Sequence, residues 1–166
     1  MSPGRYLRTA WGGLPMWARW VLAVYLAGFT DGTAAHVRDL AQGGFHAYSG
    51  FPYVPLRVFF FGLVLIDPLV VVLCAFVLRA GIWLAAAVMV LDVAANTSGN
   101  WSRVSHDPMW LVRPAGLLVL IVFGAFVLAT APAMLRVTGR AANSLSLCRV
   151  GHRKQGQSPH DNLGAS

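Results

Sequence analysis

The sequence predicts an all-α membrane protein, a four-transmembrane-helix bundle with both termini in the cytoplasm. Three observations carry that expectation. Of 166 residues, 57% are hydrophobic and 11% charged, and the mean hydropathy of +0.60 lies well outside the range of soluble domains. Apolar runs recur at about residues 20–37, 58–78, 82–97 and 114–135, each close to the length that crosses roughly 30 Å of hydrocarbon. The basic residues, finally, are shared unequally between the connections, which fixes an orientation.

Residues 1–19 form a basic, aromatic head with Arg5, Arg8, Arg19, Trp11 and Trp17, residue types that gather at a headgroup boundary. The first span, about 20–37, is only modestly apolar and contains Asp31. A basic head followed by an apolar core imitates a signal peptide, but three further spans follow, and the segment reads as one wall of the bundle.

Residues 38–55 hold Gly43, Gly44, Gly50, Pro52 and Pro55 together with Phe45, Tyr48, Phe51 and Tyr53, which predicts a loop with an aromatic surface. The second span, 58–78, is interrupted by Asp67-Pro68. Its sixteen Leu, Ile, Val and Phe residues, at about −0.3 to −0.6 kcal/mol each, outweigh one central aspartate at about +2.5 to +3.5 kcal/mol. Ala80-Gly81 is then expected to turn the chain back into the third span, 82–97, as a helical hairpin.

Residues 98–113 read as a polar connection. The fourth span, 114–135, has no ionisable residue, and Ala125, Ala129 and Ala133 repeat at the spacing of a close helix contact. Residues 136–166, poor in apolar side chains, read as a disordered basic tail.

Arginine and lysine in the head (Arg5, Arg8, Arg19), at Arg79 and in the tail (Arg136, Arg140, Arg149, Arg153, Lys154) outnumber Arg38, Arg57, Arg103 and Arg113 of the other two connections. This bias puts both ends inside and the two longer loops outside. It also accounts for the formal net charge of +7 without nucleic acid, which is not expected as a partner. Cys74 and Cys148 lie too far apart in depth for a disulfide. The near-exclusive use of arginine among basic residues suits a GC-rich genome, hence the cytoplasmic membrane of a bacterium.

At about 1.5 Å per residue, Asp31, Asp67 and Asp92 all lie roughly 18–21 Å from the cytoplasmic boundary. A carboxyl facing lipid is expensive, so the three are expected to turn inward at one level. Asn96 follows Asp92 by one helical turn, and His36 and Asp39 extend from Asp31 toward the outside. The expected site is an outward-open polar pocket of Asp31, His36, Asp39, Asp67, Asp92 and Asn96. It suits a small amphipathic, lipid-like or cationic ligand.

Two other uses fit the same residues. The aspartates suit proton-coupled or ion transport by an oligomer, and they suit interhelical hydrogen bonds in a structural or assembly subunit. No catalytic residue stands out, and Walker, nucleophile-elbow, HExxH and CxxC patterns do not occur. His36, His46 and His106 with Asp39 and Asp107 match no compact metal spacing, so neither metal nor cofactor is expected. Gly28 and Gly32 form a GxxxG, a close helix crossing that offers a homodimer contact.

Four spans with cytoplasmic ends, a long aromatic first loop, the mid-helix proline of FGLVLIDP and the tight RAGIW connection resemble the EXPERA family. That family includes the emopamil-binding sterol isomerases and the sigma-2 receptor. The resemblance covers about residues 20–135 and implies the four-helix layout. If the activity carried over as well, the chain would be a membrane isomerase acting on a lipid or sterol-like substrate. The family's second-span acid stands about six residues before the proline, where this chain has Gly62, so the architecture alone is carried over.

Overall fold

A computed structural model describes residues 2–51, 53–112 and 117–155, with residues 141–155 as backbone only. Every regular element among them is helical: α1 (Pro3–Gly12), α2 (Met16–Gly43), α3 (Val54–Ala75), α4 (Arg79–His106) and α5 (Leu117–Gln155). Two short 3-10 turns, Gly44–His46 and Pro108–Val112, lie in the connections. Three segments are long and apolar enough to cross a membrane, Val54–Ala75, Arg79–His106 and Leu117–Arg140. Leu65, Val72, Trp83, Leu91, Val119 and Val122 are exposed on them, an apolar outer surface suited to lipid.

α2 packs along α3, α3 along α4 and α4 along α5, and α5 returns to touch α2. The ring closes through Tyr25, whose hydroxyl donates to the Val127 carbonyl at 2.8 Å and lies 2.9 Å from Thr130 Oγ1. Phe29 meets Phe123 edge-on, with ring centroids 5.6 Å apart. Gly28 makes this approach possible, since a Cβ there would fall 2.2 Å from the Phe123 ring. The inner stripes follow helical spacing: Leu22, Tyr25 and Phe29 on α2, Phe60, Leu63, Asp67, Val70 and Cys74 on α3, and Val127, Ala131, Met134 and Thr138 on α5.

The helices outrun the apolar segments that announce them. α2 continues to Gly43 and α4 to His106, because hydropathy fades at a membrane boundary whereas a helix stops only at a breaker or cap. Pro55 lies in the first turn of α3, where its missing N–H costs nothing, and is not a loop residue. α5 runs on to Gln155 through most of the segment expected to be a tail. Residues 113–116, including Pro114 at the expected start of the fourth span, lie outside the described residues, as do residues 156–166 and the Cys148 side chain.

Two packing expectations are corrected. The reversal between α3 and α4 is made by Phe76, Val77 and Leu78, not by Ala80-Gly81. The Leu78 amide donates to the Leu73 carbonyl at 3.0 Å, and Val77 takes the left-handed conformation at φ 57°, unusual for a β-branched residue. Gly81 already belongs to α4, and its missing side chain lets the helices touch: a Cβ would stand 2.8 Å from the Cys74 nitrogen and the Leu73 carbonyl carbon. Ala125, Ala129 and Ala133 are exposed, because the face of α5 that packs inward is that of Val127, Ala131 and Met134.

The head is a docked helix. Trp11 Nε1 donates to the Ala75 carbonyl at 2.8 Å and the Tyr6 hydroxyl to the Phe76 carbonyl at 3.4 Å. These acceptors belong to the end of α3, where carbonyls have no partner within the helix. Ala10 and Leu14 are buried beside them, so α1 seals this end of the bundle.

Candidate functional site

The opposite end, where α2 joins α3, is open. His36, Asp39 and Gly43 follow Phe29 and Gly32 along the inner stripe of α2 at intervals of three and four residues, so the helix that packs apolar side chains below presents polar ones above. On α3 the same spacing sets Asp67 between Leu63 and Val70, both fully buried. The Asp67 side chain is nearly enclosed at 5% exposure, and Gly32 makes room for it: a Cβ at Gly32 would lie 2.9 Å from Asp67 Oδ2.

Above Asp67 is a cavity of about 440 Å3. His36, Asp39 and Gln42 line it from α2, Ala47, Tyr48 and Phe51 from the connection, Phe60 from α3 and Asn96 from α4. Aromatic stacking forms its roof. Phe51 and Phe60 stack at 4.6 Å, Tyr48 and Phe60 at 5.3 Å, and Tyr48 meets Phe61 edge-on at 5.2 Å. The roof reaches α4 at Gly99, where a Cβ would fall 2.3 Å from the Phe51 ring. Arg57 Nε holds the Phe51 carbonyl at 2.8 Å. Half of the aromatic loop thus folds inward, while Phe45 and Tyr53 remain exposed.

The polar groups form a connected series. His36 Nε2 stands 4.0 Å from Asp67 Oδ2, and its Nδ1 lies 3.0 Å from the Tyr48 hydroxyl, which donates to Asp39 Oδ2 at 3.5 Å. On the α4 side, Asn96 Nδ2 donates to Asp92 Oδ1 at 2.8 Å and to the Asp92 carbonyl at 3.1 Å. Burial, then the charge of Asp39 and the hydrogen bond to it, and then the charge of Asp92 push the Tyr48 phenol up to about 12. Tyr48 therefore stays a neutral donor through the physiological range.

Of the expected site residues, His36, Asp39, Asp67, Asp92 and Asn96 gather here. Asp31 does not. It is exposed on α2, two residues and about 200° around the helix from buried Phe29, so an equal depth does not bring it to the same side. Gly28 and Gly32, the expected dimer contact, face Phe123 and Asp67 of their own chain. His46 and His106 are exposed, and no group of three or more metal-ligating side chains stands together among the described residues.

Tyr48, Phe60 and Gln42 were not anticipated as site residues. Phe60 had a legible signal, lying two helical turns before Asp67 on the same face. Gln42 follows Asp39 by three residues on α2, a signal hidden because the segment reads as a loop, and Tyr48 had none, since its place depends on how the connection folds back.

Chemically the cavity offers aromatic faces, a carboxylate at its mouth and an amide on its wall, and keeps two further carboxyls behind His36 and Asn96. Such a lining accepts hydrogen bonds, attracts positive charge and shelters a small apolar body. No family model, no curated protein and no solved structure matches the chain.

Proposed function

We propose that the protein is a multi-pass integral membrane protein in which α2 joins the three apolar helices as a fourth span, with both termini cytoplasmic and the 44–53 connection outside. The cavity between α2, α3 and α4 would then open outward and bind a small amphipathic ligand with a cationic or hydrogen-bond-donating head. One observation carries the reading. A cavity of about 440 Å3 joins stacked aromatics to Asp39 and Asn96, and His36 in its lining stands 4.0 Å from a carboxyl that the fold buries at a cost. An apolar seal made in that place would need no carboxyl at all.

In this reading Asp39 and Asn96 meet the head of the ligand, Asp67 and Asp92 place carboxyl groups beneath it, and Tyr48, Phe51 and Phe60 cover its apolar body. Asp31 takes no part. Binding of radiolabelled dodecyltrimethylammonium below its micellar concentration, to protein in lipid nanodiscs, tests this. Saturable binding is expected at one site per chain, not competed by dodecyl sulfate, and weakened roughly tenfold or more by Asp67→Asn in a variant that remains inserted and helical. Binding that is unsaturable, or equal in Asp67→Asn, would refute it.

A further inference from the structure

The hydrogen bonds above Asp67 have a direction. Tyr48 has one proton, and it is donated to Asp39 Oδ2. At 3.0 Å from His36 Nδ1 the Tyr48 oxygen must then accept, so Nδ1 carries the hydrogen of the neutral ring. His36 Nε2 is left with a lone pair, and that lone pair faces Asp67 Oδ2 across 4.0 Å. Such an approach is favourable when Asp67 bears the proton, and a carboxyl rotation or one water shortens it to a hydrogen bond. Every donor in the series then points the same way, from the buried carboxyl to an exposed one.

We infer that Asp67, His36, Tyr48 and Asp39 form a proton relay connecting the buried carboxyl of α3 to the mouth of the cavity. In one passage the Asp67 O–H bond breaks as an N–H bond forms at His36 Nε2. The Nδ1–H bond breaks as a new O–H forms on Tyr48, and the original Tyr48 O–H breaks as one forms on Asp39. One proton has moved from Asp67 to Asp39, leaving Asp67 a carboxylate and His36 in its other tautomer, and Asp39 passes the proton to water. The reverse sequence resets the ring.

The surroundings confine the path to this route. From α4 the ionisable group facing Asp67 is Asp92, tied to Asn96. From α2 the groups are His36 and Asp39, with Gly32 closing the floor. The segment 117–135 of α5 contains no ionisable residue. Below Asp67, fully buried Val70 and Cys74 separate it from the sealed end. The relay is thus a half-channel, open to one side of the protein only.

The inference concerns the same cavity but not its ligand, and it is tested with no amphiphile present. Infrared spectroscopy of the protein in nanodiscs, on rapid change from H2O to D2O, follows the carbonyl stretch of protonated carboxyls. A band that disappears in Asp67→Asn identifies Asp67. Its exchange should slow by about a hundredfold in Tyr48→Phe, the size of effect a positioned proton-transferring side chain has, and should slow in Asp39→Asn as well. Asp39 is exposed, so that second variant keeps the test decisive if Tyr48→Phe misfolds. Equal exchange rates in the wild type and in the folded variants, or the absence of any protonated-carboxyl band assignable to Asp67, would overturn the relay whether or not dodecyltrimethylammonium binds.

Discussion

The two ends of the helix ring solve opposite problems with the same helices. At the α3–α4 end every feature closes space: Gly81 lets two backbones touch, Trp11 and Tyr6 take up the last carbonyls of α3, and Ile82, Ala85 and Met134 are fully buried. At the α2–α3 end the same stripes hold His36, Asp39, Asp67 and Asn96, and a roof of aromatic rings leaves about 440 Å3 unfilled. Polar residues exposed to a cavity weaken packing, and a tightly packed far end offsets that loss. The division separates a tightly packed end from a polar, open one.

The sharpest way to break this contrast is at Gly81. Gly81→Leu should destabilise the protein by about 3 kcal/mol or more, because the atoms it meets are two backbone atoms and the Leu73 Cβ, which cannot move aside as the end of a side chain would. Unfolding in detergent by urea or heat reads the loss. A variant as stable as the wild type would show that α3 and α4 do not meet there. Next in size, Trp11→Phe removes the donor from the Ala75 carbonyl and should cost about 1–2 kcal/mol while leaving amphiphile binding unchanged. Equal stability would free α1 from its role as a seal.

Asp31→Asn sharpens the contrast from the other side. It should change stability by no more than about 0.5 kcal/mol and leave dodecyltrimethylammonium binding untouched, whereas Asp67→Asn should weaken the binding roughly tenfold or more. Loss of binding in both would return Asp31 to the site.

The smallest effect concerns pH. The phenol of Tyr48 is raised from 10.0 to about 12, so any stability gained by keeping it protonated is complete below pH 10 and is lost as pH rises toward 12. Ultraviolet titration should show a late phenolate component that is smaller by one tyrosine in Tyr48→Phe. Its appearance near 10 would mean that the roof stands open to water.

Much of this was legible in the sequence. The apolar runs located α3, α4 and the apolar part of α5, and they set Asp67 on α3 and Asp92 on α4. What one-dimensional reading misjudged was azimuth. Asp31 and Asp67 read as lying at one depth, but only Asp67 lies on an apolar inner stripe, at 60, 63, 67, 70 and 74. Testing Asp31 against Leu22, Tyr25 and Phe29 would have set it outside. Ala125, Ala129 and Ala133 misled in the same way, since spacing identifies a face without saying which way it looks. Tyr48 was beyond sequence reasoning altogether, because its place in the site is set by tertiary stacking on Phe60 and Phe61.

Gly32 gives the site an adjustable part. The carboxyl of Asp67 rests where α2 carries a hydrogen atom in place of a methyl group, with 2.9 Å between its oxygen and the position a Cβ would take. A series of Gly32→Ala, Gly32→Ser and Gly32→Val would crowd the Asp67 carboxyl step by step without replacing an ionisable residue. Such a series is a mechanical gauge of the site. If the chemistry depends on the distance from Asp67 to His36, it should follow the volume added at residue 32, and a single methyl group would be enough to detune it.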